Sequence, residues 1–406
     1  MAVSASQEST TLLVREQGLT GLPGTDGTDG TGIQTIRMSK VNNPLCHLFK
    51  TNNITETLSG ALTWTRSTTA TYVDRYGVVQ SAAIDTPREE VEGFLIEGAS
   101  TNLLTYSEDF SHANWTKIAT ATVNSNTDTA PDGALTADTL NFPAVNDIIL
   151  QNSGVSSSSK TFTGALWLKG VAGETITIEA TNGVDSFTAK QITLTNSFVR
   201  VQVSNAFTAT AATARLNVTR AATDTATSVV AWGAQLEELP FASSYIPTTT
   251  SAVTRTADTV SIAFDNNAEI GDQPFTYFLN FDYFGYTSNN RVFATDTDGV
   301  SERFRLSLAS SSIGNFVNGS VGATNIAGLS VNTILSVAIA SDGNTINAYL
   351  NGAIADSDTL ITPATTAPTN IKFMSGHSSL NDGYGHIKDF RAYDFALNAA
   401  EADFLS

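Results

Sequence analysis

The chain has 406 residues, too many for one hydrophobic core of ordinary size, so two or three domains are expected. It is 41% hydrophobic and only 15% charged, and its polar remainder is rich in Thr, Ser and Asn, which favours an all-β fold. Lys and Arg number 21 against 39 Asp and Glu, and the resulting net charge of −18 argues against a nucleic-acid partner and against an anionic membrane surface.

Cys46 is the only cysteine, which excludes an intrachain disulfide. Its neighbour His47 would point to the opposite face of an extended chain, so a buried thiol is favoured over a nucleophilic pair. Residues 1–18 lack the basic and apolar regions of a signal peptide. The longest apolar runs, such as 334–340, have the length of buried strands. We therefore expect synthesis in a cytoplasm and no membrane insertion.

The N-terminal region combines a polar arm with a glycine repeat. Residues 1–17 carry one short apolar patch, and we interpret them as a docking arm. Residues 18–32 have glycine at every third position, in Gly18, Gly21, Gly24, Gly27 and Gly30. Five glycines in this register arise by chance about once in a thousand such chains. Only glycine fits at the axis of three polyproline II-like chains, so we predict a short triple-helical neck that depends on its flanking domains.

Residues 33–100 are predicted to be a β-rich connector. Tyr72–Asp74 and Tyr76–Val79 have the pattern of a hairpin whose turn ends at Gly77. The following segment "EEVEGFLIE" clusters four acids, Glu89, Glu90, Glu92 and Glu97. A retaining glycosidase needs two carboxylates about 5 to 5.5 Å apart, but adjacent acids next to a proline are more often a solvated loop. No catalytic dyad is predicted.

Residues 101–250 alternate β-like runs with turn clusters, which predicts a sandwich of jelly-roll type. In "FVRVQVS" the residues Val199, Val201 and Val203 share one face, as in a half-buried antiparallel strand. Trp167 and Trp232 lie in strand contexts where an indole is usually in the core.

Residues 251–406 are predicted to form a second β-sandwich, so the fold class is all-β with two tandem sandwiches. Asn351 and Gly352 suit a two-residue hairpin turn, because both tolerate positive φ. Asn398 and Glu401 have the spacing of a capping box, which predicts a short terminal helix.

Several stretches resemble known families. The runs "TRSTTATYVDRYGVVQ" and "GFLIEGASTNLLTYSEDFSHANWT", together with "WGAQLEELPFASSYIPTTTSAVTRTADTVSI", flank the jelly roll and resemble a module of tailed-bacteriophage tail fibre and tail-associated proteins. That resemblance implies that 101–250 is similar to carbohydrate-binding modules. "AYLNGAIA" and "GHIKDFRAYDFALNAAEADFL" resemble the concanavalin A-like or laminin G-like sandwich, a fold that hosts lectins, hydrolases and structural domains.

Candidate glycan-binding residues follow from residue type and loop position. Exposed aromatics stack on sugars, and long loops on a rigid scaffold are a usual place for recognition. The candidates are Trp115, His377, Asn381, Asp382 and Tyr384.

No resident cofactor is predicted. Asp296 and Asp298 are weak calcium candidates in an Asp-Gly loop that is more often an ordinary turn. The four histidines, His47, His112, His377 and His386, show no ligand spacing, which disfavours zinc.

The order of parts suggests a structural virion protein rather than an enzyme: a homotrimeric phage tail fibre whose sandwiches attach to host cell-surface glycan. Other tail proteins would hold residues 1–17, and the host partner would be a surface polysaccharide or outer-membrane component. Two alternatives remain open: a polysaccharide depolymerase tailspike, although no β-helical repeat is seen, and a capsid-attached decoration fibre of the same architecture.

Overall fold

The fold is nearly all β, as the composition predicts. The computed structural model describes residues 46–48, 62–208, 212–263, 274–285, 290–296, 302–309, 312–317, 324–327, 331–359, 370–374 and 383–406. The predicted docking arm and glycine repeat lie outside these residues, so both stay predictions. So do the domain boundaries proposed above.

The described strands and the helix are as follows in chain order: β1 (Cys46–Leu48), β2 (Thr63–Thr65), β3 (Ala70–Val73), β4 (Val79–Ala82), β5 (Phe94–Glu97), β6 (Ser100–Asn102), β7 (Thr116–Ile118), β8 (Thr122–Asp128), β9 (Ala137–Asn141), β10 (Ile148–Ser156), β11 (Thr161–Lys169), β12 (Thr175–Thr181), β13 (Lys190–Thr193), β14 (Val199–Ala206), β15 (Thr213–Thr219), β16 (Ser228–Glu237), β17 (Val253–Arg255), β18 (Thr259–Ala263), β19 (Phe275–Phe281), β20 (Asn290–Asp296), β21 (Glu302–Ala309), β22 (Ser312–Val317), β23 (Thr324–Ala327), β24 (Leu335–Ser341), β25 (Thr345–Leu350), β26 (Ala353–Thr359), β27 (Asn370–Phe373), β28 (Tyr384–Tyr393) and α1 (Ala399–Leu405).

Strands β7 to β16 form two five-stranded antiparallel sheets, which we call the small sandwich. The spatial orders are β13-β12-β15-β10-β7 and β14-β11-β16-β9-β8. Apolar side chains from both sheets, such as Leu166 and Leu216, fill the core between them. Strand β14 alternates as predicted: Val201 and Val203 enter this core, so Arg200 between its valines lies on the outer face.

Two larger antiparallel sheets form the large sandwich. Their orders are β1-β28-β19-β24-β25-β26, with β5 also paired to β28, and β2-β18-β27-β20-β21-β22-β23. Tyr277 and Phe390 from the first sheet meet Val260 and Phe373 from the second in its core. Strands β1, β2 and β5 precede the small sandwich in the chain, yet each pairs with a strand that follows it. The small sandwich is therefore inserted into the chain of the large one, so the predicted tandem order of the two sandwiches is wrong: strands of the predicted connector 33–100 belong to the large sandwich.

Local sequence signals gave correct turns and caps. The hairpin of β3 and β4 turns at Gly77, whose φ is +78°. Asn351 and Gly352 link β25 to β26 with φ of +47° and +80°. Asn398 and Glu401 form the predicted capping box of α1. In the part of the chain that the structure describes, no helix is long and apolar enough to cross a membrane.

The chain enters and leaves the small sandwich through a two-stranded stem of β6 and β17. Beside the stem lies a buried ion network of three arginines and two acids. Arg66 bonds Asp258 at 2.9 Å, and Arg88 contacts both Asp258 and, at 2.8 Å, Glu97. Arg255 lies 3.5 Å from Glu97. All five side chains are excluded from solvent.

The network corrects the prediction of a solvated acidic loop at 89–97, because Glu97 is fully buried. Burial alone would raise the pKa of Glu97, but Arg255, Arg88 and the hydrogen bonds from Ser244 outweigh it and lower the pKa to about 2. Glu97 is therefore ionised at every physiological pH. Ser244 follows the last strand of the small sandwich, and its amide donates a 2.7 Å hydrogen bond to the Glu97 carboxylate. This bond holds β5 beside Ser244.

Replacing Arg88 should be costly, because the buried charges of Glu97 and Asp258 would lose a shared partner. We expect Arg88→Met to lower the free energy of unfolding by about 3–5 kcal/mol in urea titrations. Arg75→Met is the matched control, since Arg75 makes one exposed contact with Glu89 at 3.5 Å and should change stability by no more than about 1 kcal/mol. Equal losses in the two variants would contradict the network's role.

Candidate functional site

A cleft of about 270 Å³ lies where three parts of the fold meet. One wall is the hairpin of β3 and β4, with Thr71, Tyr72 and Val73. A second wall is the outer face of the small sandwich around Arg200, together with the segment 241–245. The third wall comes from the large sandwich and includes Phe284 and, at the edge of the cleft, Asn332. Clefts at such junctions are common sites of ligand binding.

An aromatic cluster forms the base of the cleft. Trp167, Trp232 and Tyr245 are buried against one another, with Trp167 and Trp232 ring centroids 5.2 Å apart. The prediction that both tryptophans are buried is confirmed, although they pack under the β3–β4 hairpin rather than between the sheets. Gly233 permits this arrangement: its φ is +66°, and a Cβ there would lie 2.8 Å from the Trp167 ring.

Arg200 is the cation of the cleft. It lies directly opposite Trp167 on the neighbouring strand, and its guanidinium carbon lies 4.8 Å from the centre of the indole. Its Nε and Nη2 are shielded from solvent and have no hydrogen-bond partner among the residues that the structure describes. Burial lowers the pKa of Arg200, and the charges of Glu237, Glu97 and Glu90 offset this only in part. An arginine side chain nevertheless stays protonated in a protein.

Neutral groups complete the binding surface. Gln202 follows Arg200 by two residues on the same face of β14, and its Oε1 accepts a 2.8 Å bond from the Ala242 amide. Its Nε2 has no partner in the described part of the chain and is free to donate. Asn332 lies at the edge of the cleft with an exposed side chain, and half-buried Tyr72 is a further lining residue. Amide donors beside an aromatic ring suit the hydroxyl groups and apolar faces of a saccharide.

Glu90 belongs to a charged triad at the opposite side of the cleft. Its Oε1 accepts from the Val73 amide at 2.6 Å, and its Oε2 lies 3.0 Å from His386 Nε2. The other ring nitrogen, Nδ1, lies 2.8 Å from Asp282 Oδ1. Burial would lower the pKa of His386, but the bonds to Asp282 and Glu90 raise it to about 9. The imidazolium thus donates to both carboxylates at neutral pH.

Among the described residues, Glu90, Glu92 and His386 form the one group of side chains spaced closely enough to hold a metal ion. His386 and Glu90 already bond each other, and Asp282 binds the second ring nitrogen. A metal would have to replace the proton between His386 and Glu90. The geometry is accounted for by the ion pairs alone, so we assign no metal.

Two of the predicted glycan-binding residues are buried. Trp115 is 1% exposed, donates its indole N–H to the Tyr106 carbonyl at 3.0 Å and packs on Phe110, so it offers no face to a sugar. Tyr384 is 5% exposed, and its hydroxyl donates to the Ala99 carbonyl at 2.8 Å. It joins the two sandwiches by packing on Phe241. These two residues are structural.

The other predicted site residues cannot be compared with the structure. His377, Asn381, Asp382 and Asp298 lie outside the described residues, as do the five neck glycines. Asp296 is the last residue of β20, and its side chain is outside the described set. The calcium and neck assignments therefore stay predictions.

Sequence reasoning missed Arg200, Gln202 and the His386 triad. The alternation in "FVRVQVS" does place Arg200 and Gln202 on the outer face of a strand. Nothing local shows that a hairpin more than 100 residues earlier covers that face. His386 and Glu90 are 296 positions apart, so spacing could not reveal their contact.

Comparisons with known proteins found no matching family model and no matching curated protein. Among solved structures, the chain is similar to the binding domain of botulinum neurotoxin serotype G, with 16% identity over 36% of this chain and 39% of that one and a TM-score of 0.32. The binding domain of Paraclostridial Mosquitocidal Protein 1 gives 14% identity, 37% and 43% coverage and a TM-score of 0.30. The ligand-binding domain of botulinum neurotoxin serotype D, solved with N-acetylneuraminic acid, gives 13% identity over 36% of this chain and 39% of that one, with a TM-score of 0.31. The match spans about two-fifths of each of these chains, and likenesses this distant do not establish a shared function.

The raised pKa of His386 makes stability depend on pH. A group whose pKa is higher in the folded state stabilises the fold fully below its unfolded value of about 6.5, and the contribution disappears as the pH rises through about 9. We expect about 3 kcal/mol of unfolding free energy to be lost across that window.

Proton NMR provides the direct check. The His386 ring signal should titrate near pH 9, and the His386→Gln variant assigns it by removing it. The triad would be contradicted by a ring signal that titrates at pH 6.5 or below, together with a free energy of unfolding that stays constant between pH 6 and 9.

Proposed function

We propose that this chain attaches a bacteriophage virion to its host by binding a surface saccharide in the cleft. The observation that carries the proposal is the convergence on one concave site of a guanidinium, an amide donor and an aromatic face, in Arg200, Gln202 and Tyr72. The tail-fibre resemblance of the flanking segments supplies the biological setting. Both sandwiches contribute to the site, so the attachment surface is the junction and not either sandwich alone.

The proposal is for binding and not for catalysis. A hydrolase of the glycosidase type needs two carboxylates that face the substrate. Glu90 is the carboxylate that lines the cleft, and both of its oxygens are engaged, by the Val73 amide and by His386. The depolymerase remains the second candidate, and new reducing ends after incubation with host polysaccharide would favour it.

Binding should depend on the aromatic wall. We expect full-length protein to bind bacterial surface polysaccharides on a glycan array, and Tyr72→Ala to weaken that binding about tenfold through loss of stacking area. Tyr76→Ala is the control, because Tyr76 is 83% exposed at the tip of the same hairpin. An array with no bound glycan and host cells with no bound protein would overturn the proposal.

The tail-fibre assignment also proposes a homotrimer, located in the virion tail, with residues 1–17 on another tail protein. Light scattering of the full chain should give about three times the 42.8 kDa mass of one chain. A mass near that of one chain would contradict the proposed trimeric fibre. The proposal that the cleft binds a saccharide would not be affected. Immunogold labelling of virions would distinguish tail attachment from the capsid-decoration alternative.

A further inference from the structure

We infer that the saccharide bound in the cleft is acidic and that its carboxylate docks on Arg200. The inference rests on the proposed saccharide-binding function and narrows it to one chemical class, sugars that carry a carboxylate such as uronic acids. Arg200 binds the carboxylate directly in this proposal, and Gln202 on the same strand face is the neighbouring donor for a hydroxyl group.

The Arg200 guanidinium has unmatched donors. Nε and Nη2 are shielded from water and have no hydrogen-bond partner among the described residues, so the nitrogen that a ligand can reach is Nη1, which is not among the shielded atoms. Buried donors without partners are costly, and charged donors more so. A ligand that supplies the missing acceptor is one explanation for such a group, and unlike Arg255, which lies beside Glu97, Arg200 makes no ion pair among the described residues.

The acids nearest to Arg200 already accept hydrogen bonds or ion pairs from other residues. Glu237 accepts hydrogen bonds from Ser100 and from the Ser243 amide. Glu97 is held by Arg88 and Ser244, as described above, and Glu90 by His386. None of these three carboxylates makes a hydrogen bond to Arg200, although all three influence its pKa.

A carboxylate is the acceptor that suits this cation. A guanidinium N–H donates a charge-assisted hydrogen bond to a carboxylate oxygen, and such a bond is about twice as strong as a neutral one. The guanidinium carbon of Arg200 lies 4.8 Å from the centre of the Trp167 ring, a cation–π contact that holds the group at the cleft. Gln202 lies two residues after Arg200, about 6.6–6.8 Å along β14, and one sugar ring can span that distance.

The test compares matched saccharides on the full-length protein. The probes are a galacturonic acid trisaccharide and an N-acetylneuraminic acid glycoside, each beside its carboxyl-reduced counterpart. We expect the acidic form of at least one pair to bind 10- to 100-fold more tightly than its reduced form, as for loss of one charge-assisted hydrogen bond. Arg200→Gln should remove that preference, while Arg75→Gln, the same charge change on the exposed hairpin, should keep it.

A second measurement separates binding from folding. If Arg200 is held for a ligand, then Arg200→Met should leave the melting temperature of the free protein unchanged or raised, because unpartnered buried donors are removed. A clear drop, together with an unchanged preference for the acidic sugar in Arg200→Gln, would show that Arg200 is structural and would overturn the inference.

The outcomes distinguish this inference from the function beneath it. Equal binding of acidic and reduced sugars, or an unchanged preference in Arg200→Gln, would overturn the proposal that Arg200 binds a carboxylate. The proposal of saccharide attachment would remain. Failure to bind any glycan or host cell would overturn both.

Discussion

The structure depends on the buried contact between Asp258 and the two arginines that it joins, Arg66 and Arg88. These residues lie on segments far apart in the chain, and the network also includes Glu97, next to the stem that leads into the small sandwich. Arg88 donates at 3.0 Å to the Thr71 carbonyl of the hairpin and at 2.9 Å to the Ser244 hydroxyl. The same guanidinium therefore fixes two walls of the cleft. Buried ion pairs add little net stability against an apolar replacement, so we attribute this one to positioning.

The cleft is a consequence of that positioning. Without the hairpin, Arg200 and Trp167 would lie on the exposed outer face of an ordinary sheet. The hairpin and the segment 241–245 cover part of that face, which shields Nε and Nη2 of Arg200 from water without supplying an acceptor among the described residues. The acids of the network cannot compensate, since their oxygens hold other donors. A destabilised charged group in a preformed cleft is the expected compromise between stability and binding.

The sequence was informative wherever a few neighbouring residues decide the conformation. The Gly77 hairpin, the Asn351–Gly352 turn and the capping box of Asn398 depend on local backbone preferences, and the structure contains each of them. Long-range contacts were not predictable. Glu97 was expected in solvent because it follows other acids beside a proline, whereas its burial depends on Arg255, 158 positions later, as well as on nearby Arg88. Trp115 was a surface candidate by residue type, whereas its burial depends on the core packed between two sheets. For Arg200, the alternation of β14 predicts which face of the sheet it lies on, but its partial burial follows only from the folded structure.

The central claim is that a saccharide carboxylate completes Arg200 in the junction cleft. The most direct measurement is a crystal structure of the full-length protein with the acidic saccharide that binds it most tightly. The account predicts the sugar ring between Tyr72 and Gln202, with a carboxylate oxygen about 2.7–2.9 Å from an Arg200 nitrogen. A saccharide bound elsewhere with the cleft empty, or one in the cleft whose carboxylate points to solvent, would contradict it.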